Sequence, residues 1–107
     1  MLELTKENFD AEALGPDTGV VFVDFWSPKC APCLALLPEV EAFAEKNAGR
    51  AKFCKLDTSV NKRLSIAQKV LGLPTFVFYK NGQKVFTFDK DDIEFGAVQS
   101  KLDEILK

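Results

Sequence analysis

Histidine is absent from this sequence. That absence excludes a Ser-His-Asp or Cys-His catalytic arrangement and any zinc site with an imidazole ligand. Neither GxGxxG nor GxxxxGKS/T occurs, so no nucleotide-binding loop is visible. No apolar run approaches the roughly 18 residues of a membrane span, and no membrane partner is expected. The N-terminus, MLELTKENFD, has no basic n-region and no long apolar run. No signal peptide is read there, so a cytoplasmic location is the expectation. Clustered positive charge is also missing. Fourteen Lys and Arg stand against 16 Asp and Glu, for a net charge of −2, and only Lys62-Arg63 are adjacent. Nucleic-acid partners usually leave a basic patch, so none is expected. Cysteine is sparse and odd in number, with three. An odd count argues against a disulfide scaffold and for a chemical role for at least two of them.

What is present is ordinary for a soluble protein, with 47% apolar and 28% charged residues. A length of 107 residues fits one domain, 1–107, and leaves no room for two. Ten Phe imply a well-filled core. No internal repeat or low-complexity tract interrupts the chain.

Residues 2–5 (LELT) suit a short edge strand, and Thr5 can cap a helix over about 6–14 that stops at Gly15-Pro16. Residues 20–26 (VVFVDFW) form a nearly continuous apolar run, the signature of a strand covered on both faces, with Asp24 interrupting it. From about 33 to 48, Leu36, Leu37, Val40, Phe43 and Ala44 recur at helical spacing, with Pro38 inside and Gly49 after them. Residues 51–57 read as a strand. Val60, Leu64, Ala67 and Leu71 mark a helix from about 60 to 71, broken by Gly72-Leu73-Pro74. Residues 75–80 and 83–88 are strands joined by Asn81-Gly82, a strong hairpin signal. A last helix covers about 92–106. The order β-α-β-α-β-α-β-β-α predicts a three-layer α/β/α architecture around a central mixed sheet, largely parallel where the first half alternates and edged by an antiparallel hairpin.

Cys30 and Cys33 stand where the buried strand gives way to a helix. Sites in open α/β sheets gather at strand carboxyl ends. A helix N-terminus supplies free N–H groups and a positive dipole end, both favouring a thiolate. Cys30, just beyond that end, is expected to be the more exposed of the two. Three-residue spacing lets two sulfurs meet across one turn. Pro32 suits the first helical turn, where its missing N–H costs nothing. A redox pair is the leading reading. Two inert buried thiols, or half of a zinc site, are the alternatives. Zinc wants four ligands, and Cys54 is the only other thiol. Cys54 itself reads as a small core residue, with a regulatory thiol as the alternative.

The segment VDFWSPKCAPCLALLPEVEAFA resembles the active-site segment of the thioredoxin family, usually met as VDFWAxWCGPCK. GLPTFVFYKNG resembles that family's segment around its cis-proline. The similarity spans essentially the whole chain. The intervals from Asp24 to Cys30, Lys55, Pro74 and Gly82 match the family without insertions. The resemblance implies a thioredoxin fold and a thiol–disulfide oxidoreductase. In that reading Cys30 is the nucleophile and Cys33 the resolving cysteine. Asp24 is the buried carboxyl that moves the resolving cysteine's proton, and Lys55 pairs with it. A hydrogen-bonded structural Asp24 and an exposed strand Lys55 are the plainer alternatives. Pro74 is the cis-proline that presents backbone to substrate. Trp26, Lys29, Ala31, Pro32 and Leu73 complete the substrate-binding rim. The resemblance implies no cofactor beyond the Cys30–Cys33 couple. It implies a dithiol reductase such as thioredoxin reductase and disulfide-bearing target proteins as partners, with the chain a monomer. An isomerase or oxidase, or a non-catalytic binding module, are the competing functions.

Three departures from the family pattern stand out. Lys29 replaces the usual Trp before the first cysteine, and Ala31 replaces Gly. Asp89-Lys90-Asp91-Asp92 stands where the family has an apolar, Gly-containing contact loop. A cation beside Cys30 favours its thiolate, and a charged loop selects among partners.

Overall fold

A computed structural model describes all 107 residues. The chain runs β1 (Leu2–Leu4), α1 (Phe9–Ala13), β2 (Val20–Trp26), α2 (Ala31–Lys46), β3 (Lys52–Asp57), α3 (Lys62–Ala67), β4 (Thr75–Lys80), β5 (Gln83–Asp89) and α4 (Phe95–Ile105). A single 3₁₀ turn, Lys90–Asp92, links β5 to α4. This is the expected order of elements. The strands form one sheet in the order β1-β3-β2-β4-β5.

The sheet is mixed, as the sequence pattern predicts. β1, β3 and β2 run parallel, while β4 lies antiparallel to β2 and β5 antiparallel to β4. Residues 58–74, with α3 in their middle, connect β3 to β4. Thr75 pairs with Phe25 at the carboxyl end of β2, and β4 runs back along it.

Alternation along the strands sorts the apolar residues onto two faces. Val21, Val23 and Phe25 join Leu4, Phe9, Leu56, Val77 and Tyr79 on one face. Val20 and Phe22 join Val40, Phe43, Phe76, Val98 and Leu102 on the other, under α2 and α4. Phe22 lies at the hub of that second core, with the rings of Phe43, Phe53, Phe76 and Phe78 all within 5.8 Å of its centroid. Cys54 is fully buried in the first core, as a small apolar residue would be.

All four helices depart from expectation. α1 begins only at Phe9, behind Asn8 and without the expected Thr5 cap, and α4 begins at Phe95, capped by Glu94, rather than at about 92. α2 begins at Ala31, two residues early, because Cys30 caps it: its Sγ accepts the N–H of Cys33 at 3.2 Å. α3 is half the expected length, and Val60 and Leu71 are exposed at 73% and 86% rather than packed. Lys69 takes a left-handed φ of 64°. The Val70 N–H then donates to the Ser65 carbonyl and the Lys69 N–H to that of Ile66, closing the helix in a Schellman turn with Lys where Gly is usual.

Candidate active site

The site is assembled at the carboxyl end of β2. Cys30 and Cys33 are joined by a disulfide, with Cα atoms 5.2 Å apart. Cys30 is half-buried at the α2 N-terminus, and Cys33, one turn on, is 4% exposed. That asymmetry follows from the helix. Its first residues face solvent, while Cys33 points at the sheet. Pro32 lies at the second helical position, where no N–H is needed. Ala31, Pro32 and Lys29 are exposed around the pair.

The loop entering the helix is tied from below. The Trp26 carbonyl accepts both the N–H of Thr58 at 2.8 Å and its hydroxyl at 3.2 Å. Ser27, 8% exposed, accepts the Lys29 N–H on its hydroxyl at 3.1 Å and the Cys30 N–H on its carbonyl at 3.0 Å. Sequence reasoning singled out neither Thr58 nor Ser27. The only signal was a hydroxyl residue where the motif carries Ala, and its partners become visible only in the fold.

Pro74 is buried beside this loop, and the Leu73–Pro74 bond is cis. Thr75 pairs with Phe25 on one side and with Asp89 on the other. The sheet register thus brings Leu73, Pro74 and the exposed Asp89–Asp92 loop to the end that carries the disulfide. Beside Leu73 a shallow groove is lined by Ile66, Val70 and Leu71. Ile66 and Leu71, together with Leu34 on α2, are exposed large apolar side chains.

Asp24 lies on the α2 face of β2, 3% exposed, and its Oδ1 has no hydrogen-bond partner. Burial pushes its pKa up to about 7, and the nearby Lys55 ammonium only partly opposes this. Lys55 is its register partner on β3 but forms no ion pair with it. Its charge still acts on the Asp24 carboxyl, while the ammonium lies over the Trp26 ring, 5.7 Å from its centroid. The cation is shared between the aromatic face and the carboxyl rather than bound to either. Trp26 is half-buried, and its indole N–H has no partner.

No cluster of three or more His, Cys, Asp or Glu side chains is arranged to hold a metal ion. The remaining thiol, Cys54, has its pKa pushed up to about 12 by burial, so it stays a thiol. The arrangement is a dithiol–disulfide couple with one accessible sulfur and one shielded sulfur, at the end of a strand that also carries a buried carboxyl with a raised pKa.

Residues 1–104 match the sequence model of the family described as Thioredoxin. The chain belongs to the thioredoxin family. It is 44% identical over 100 residues to the thioredoxin of Acetoanaerobium sticklandii, covering 94% of each chain. Against the thioredoxin of Peptoclostridium acidaminophilum it is 49% identical over 92 residues, covering 86% of this chain and 83% of the relative. Thioredoxin 1 of a Nostoc species is 34% identical over 96 residues. Family membership and the Cys30–Cys33 disulfide together make the chain a thioredoxin-type protein-disulfide oxidoreductase. Thioredoxins as a family work with a reductase and with disulfide-bearing targets. No helix is long and apolar enough to cross a membrane.

Proposed function

We propose that the 107 residues act as a single domain that carries two electrons from a dithiol reductase to target protein disulfides, as a cytoplasmic monomer. The observation that carries this reading is the disulfide with one accessible and one shielded sulfur at a helix N-terminus. Cys30, as thiolate, attacks one sulfur of the target disulfide. The target S–S bond breaks, a mixed disulfide forms, and the departing target thiolate takes a proton from solvent. Cys33 gives its proton to the ionised Asp24 and attacks the Cys30 sulfur. The mixed disulfide breaks, the second target sulfur leaves as a thiolate and takes the proton from Asp24, directly or through solvent, and the Cys30–Cys33 bond closes. Two electrons have passed to the target. The raised pKa of Asp24 suits this proton exchange near neutral pH. Lys55 tunes that carboxyl from its position over Trp26. Leu73 and the cis Pro74 offer backbone to an extended target segment, with Trp26, Lys29, Ala31 and Pro32 as the rim.

The test uses a protein disulfide substrate with dithiothreitol as electron donor. Cys30→Ser abolishes reduction. Cys33→Ser retains the first step only and accumulates a mixed disulfide through Cys30, visible by mass spectrometry. A Cys30→Ser,Cys33→Ser protein that still rescued a strain lacking the protein would instead establish a binding module.

A further inference from the structure

We propose that Ser27 is a positioning residue that holds Cys30 on the α2 N-terminus when the disulfide is open, and so raises the reduction potential of the couple. The inference rests on the redox reading above. Four residues separate the end of β2 from the first residue of α2, and three of them are Ser27, Lys29 and Cys30. Ser27 is buried, and both of its oxygens face the loop: the hydroxyl takes the Lys29 N–H and the carbonyl takes the Cys30 N–H. Any residue supplies the carbonyl. The second acceptor needs a short polar side chain, here the Ser27 hydroxyl, and it makes a local side-chain turn that Ala cannot.

The two redox states need this clamp to different degrees. In the disulfide form the S–S bond itself locates Cys30 Sγ against α2. In the dithiol form that bond is gone. Cys30 is then held to the helix end by its own carbonyl, which accepts the Leu34 N–H at 3.1 Å, and by the Ser27 turn behind it. Its sulfur must stay in place to keep the Cys33 N–H, the donor that stabilises a thiolate there. Loss of the Ser27 hydroxyl leaves the Lys29 N–H without its partner and lets the loop drift where drift matters, in the reduced protein. The disulfide is favoured as a result, and the couple becomes more reducing.

Full-length Ser27→Ala and Ser27→Thr proteins test this. The thioredoxin-family segment carries Ala at this position, so the first variant is compatible with the fold. Equilibration with glutathione buffers gives the potential. The pH dependence of alkylation by iodoacetamide gives the Cys30 thiol pKa. In Ser27→Ala the equilibrium constant shifts about fivefold toward the disulfide, the size of one net hydrogen bond. At 29.6 mV per tenfold that is about 20 mV more negative. The Cys30 thiol titrates higher, and reduced Ser27→Ala loses more melting temperature than the oxidised form does. Ser27→Thr, which keeps the hydroxyl, stays within about twofold of wild type in the same equilibrium constant. A Ser27→Ala protein whose potential and thiol pKa coincide with wild type overturns the proposal, even if both of its redox forms melt lower. A wild-type pair that forms no disulfide in any buffer overturns the redox reading beneath it, independently of Ser27.

Discussion

Asp24 is the residue whose chemistry departs furthest from its ordinary behaviour. Its carboxyl ionises near 3.8 in the unfolded chain and near 7 in the folded one. Below about pH 4 both states are protonated and burial carries no charge penalty. Between those values the unfolded state sheds its proton first, so stability falls as pH rises and levels off above about 7. The full penalty is about 4 kcal/mol at most. Asp24→Asn is therefore expected to be more stable than wild type at pH 8, with the difference closing at pH 4. Urea unfolding at both pH values checks this; an equal difference at both refutes it. Lys29 acts on the other side of the couple. Its charge beside Cys30 favours the thiolate, so Lys29→Trp is expected to make the couple more reducing. An exposed charge contributes under about 1 kcal/mol, which is a shift of under about 20 mV. Coincident redox titrations of mutant and wild type remove this role for Lys29.

At the scale of elements, the turns are where sequence signals succeeded and failed. Asn81 and Gly82 both adopt positive φ, 49° and 84°, as a type I′ hairpin requires. The Asn81 side chain also accepts the Gly19 N–H, tying the hairpin to the start of β2. A Cβ on Gly82 would meet the Leu14 carbonyl oxygen at 2.5 Å. The Asn-Gly pair was legible because its conformational demand is local. The end of α3 was not, because its left-handed residue is Lys69, a residue type that does not advertise the turn. Lys69→Gly removes the Cβ strain at that position and is expected to stabilise the fold by about 1 kcal/mol. A urea midpoint that stays put or falls counts against the Schellman account. The early start of α2 was hidden for a similar reason. Its cap is a cysteine sulfur rather than one of the usual oxygens.

Across the whole molecule, the two cores are joined only through the sheet, and Phe22 bears on four aromatic neighbours at once. Phe22→Ala is expected to destabilise by about 3–5 kcal/mol through transfer and cavity terms, read as a loss of urea midpoint with an unchanged slope. A loss under about 1 kcal/mol would mean the core collapses around the gap. The rim about the disulfide is divided. Leu34, Ile66 and Leu71 are exposed and apolar, whereas Asp89, Lys90, Asp91 and Asp92 are exposed and charged. A charged sector rejects partners that fit a wholly apolar rim. This protein is expected to serve a restricted set of partners. A generic thioredoxin reductase should reduce it with lower kcat/KM than it shows for a generalist thioredoxin. The triple change Asp89→Asn, Asp91→Asn and Asp92→Asn should narrow that gap. Equal kcat/KM for the two proteins refutes the idea.

Strand periodicity, the Asn-Gly turn and the cysteine spacing are local properties, and by itself the sequence determined all of them. The order of elements, the two-sided burial of β2 and the position of the cysteine pair at a strand end followed from them. Tertiary structure decided what depends on distance through space. It set β4 antiparallel to β2, with Thr75 opposite Phe25. It left Val60 and Leu71 in solvent although their spacing matches a buried face, because α3 runs only from Lys62 to Ala67 and both lie beyond its ends. It put the Lys55 ammonium over Trp26 rather than on the Asp24 carboxyl, and it turned both Ser27 oxygens toward the active-site loop. Periodicity reports which residues want burial. Only the packed chain decides which neighbours each polar group meets, and those neighbours set the chemistry of the pair.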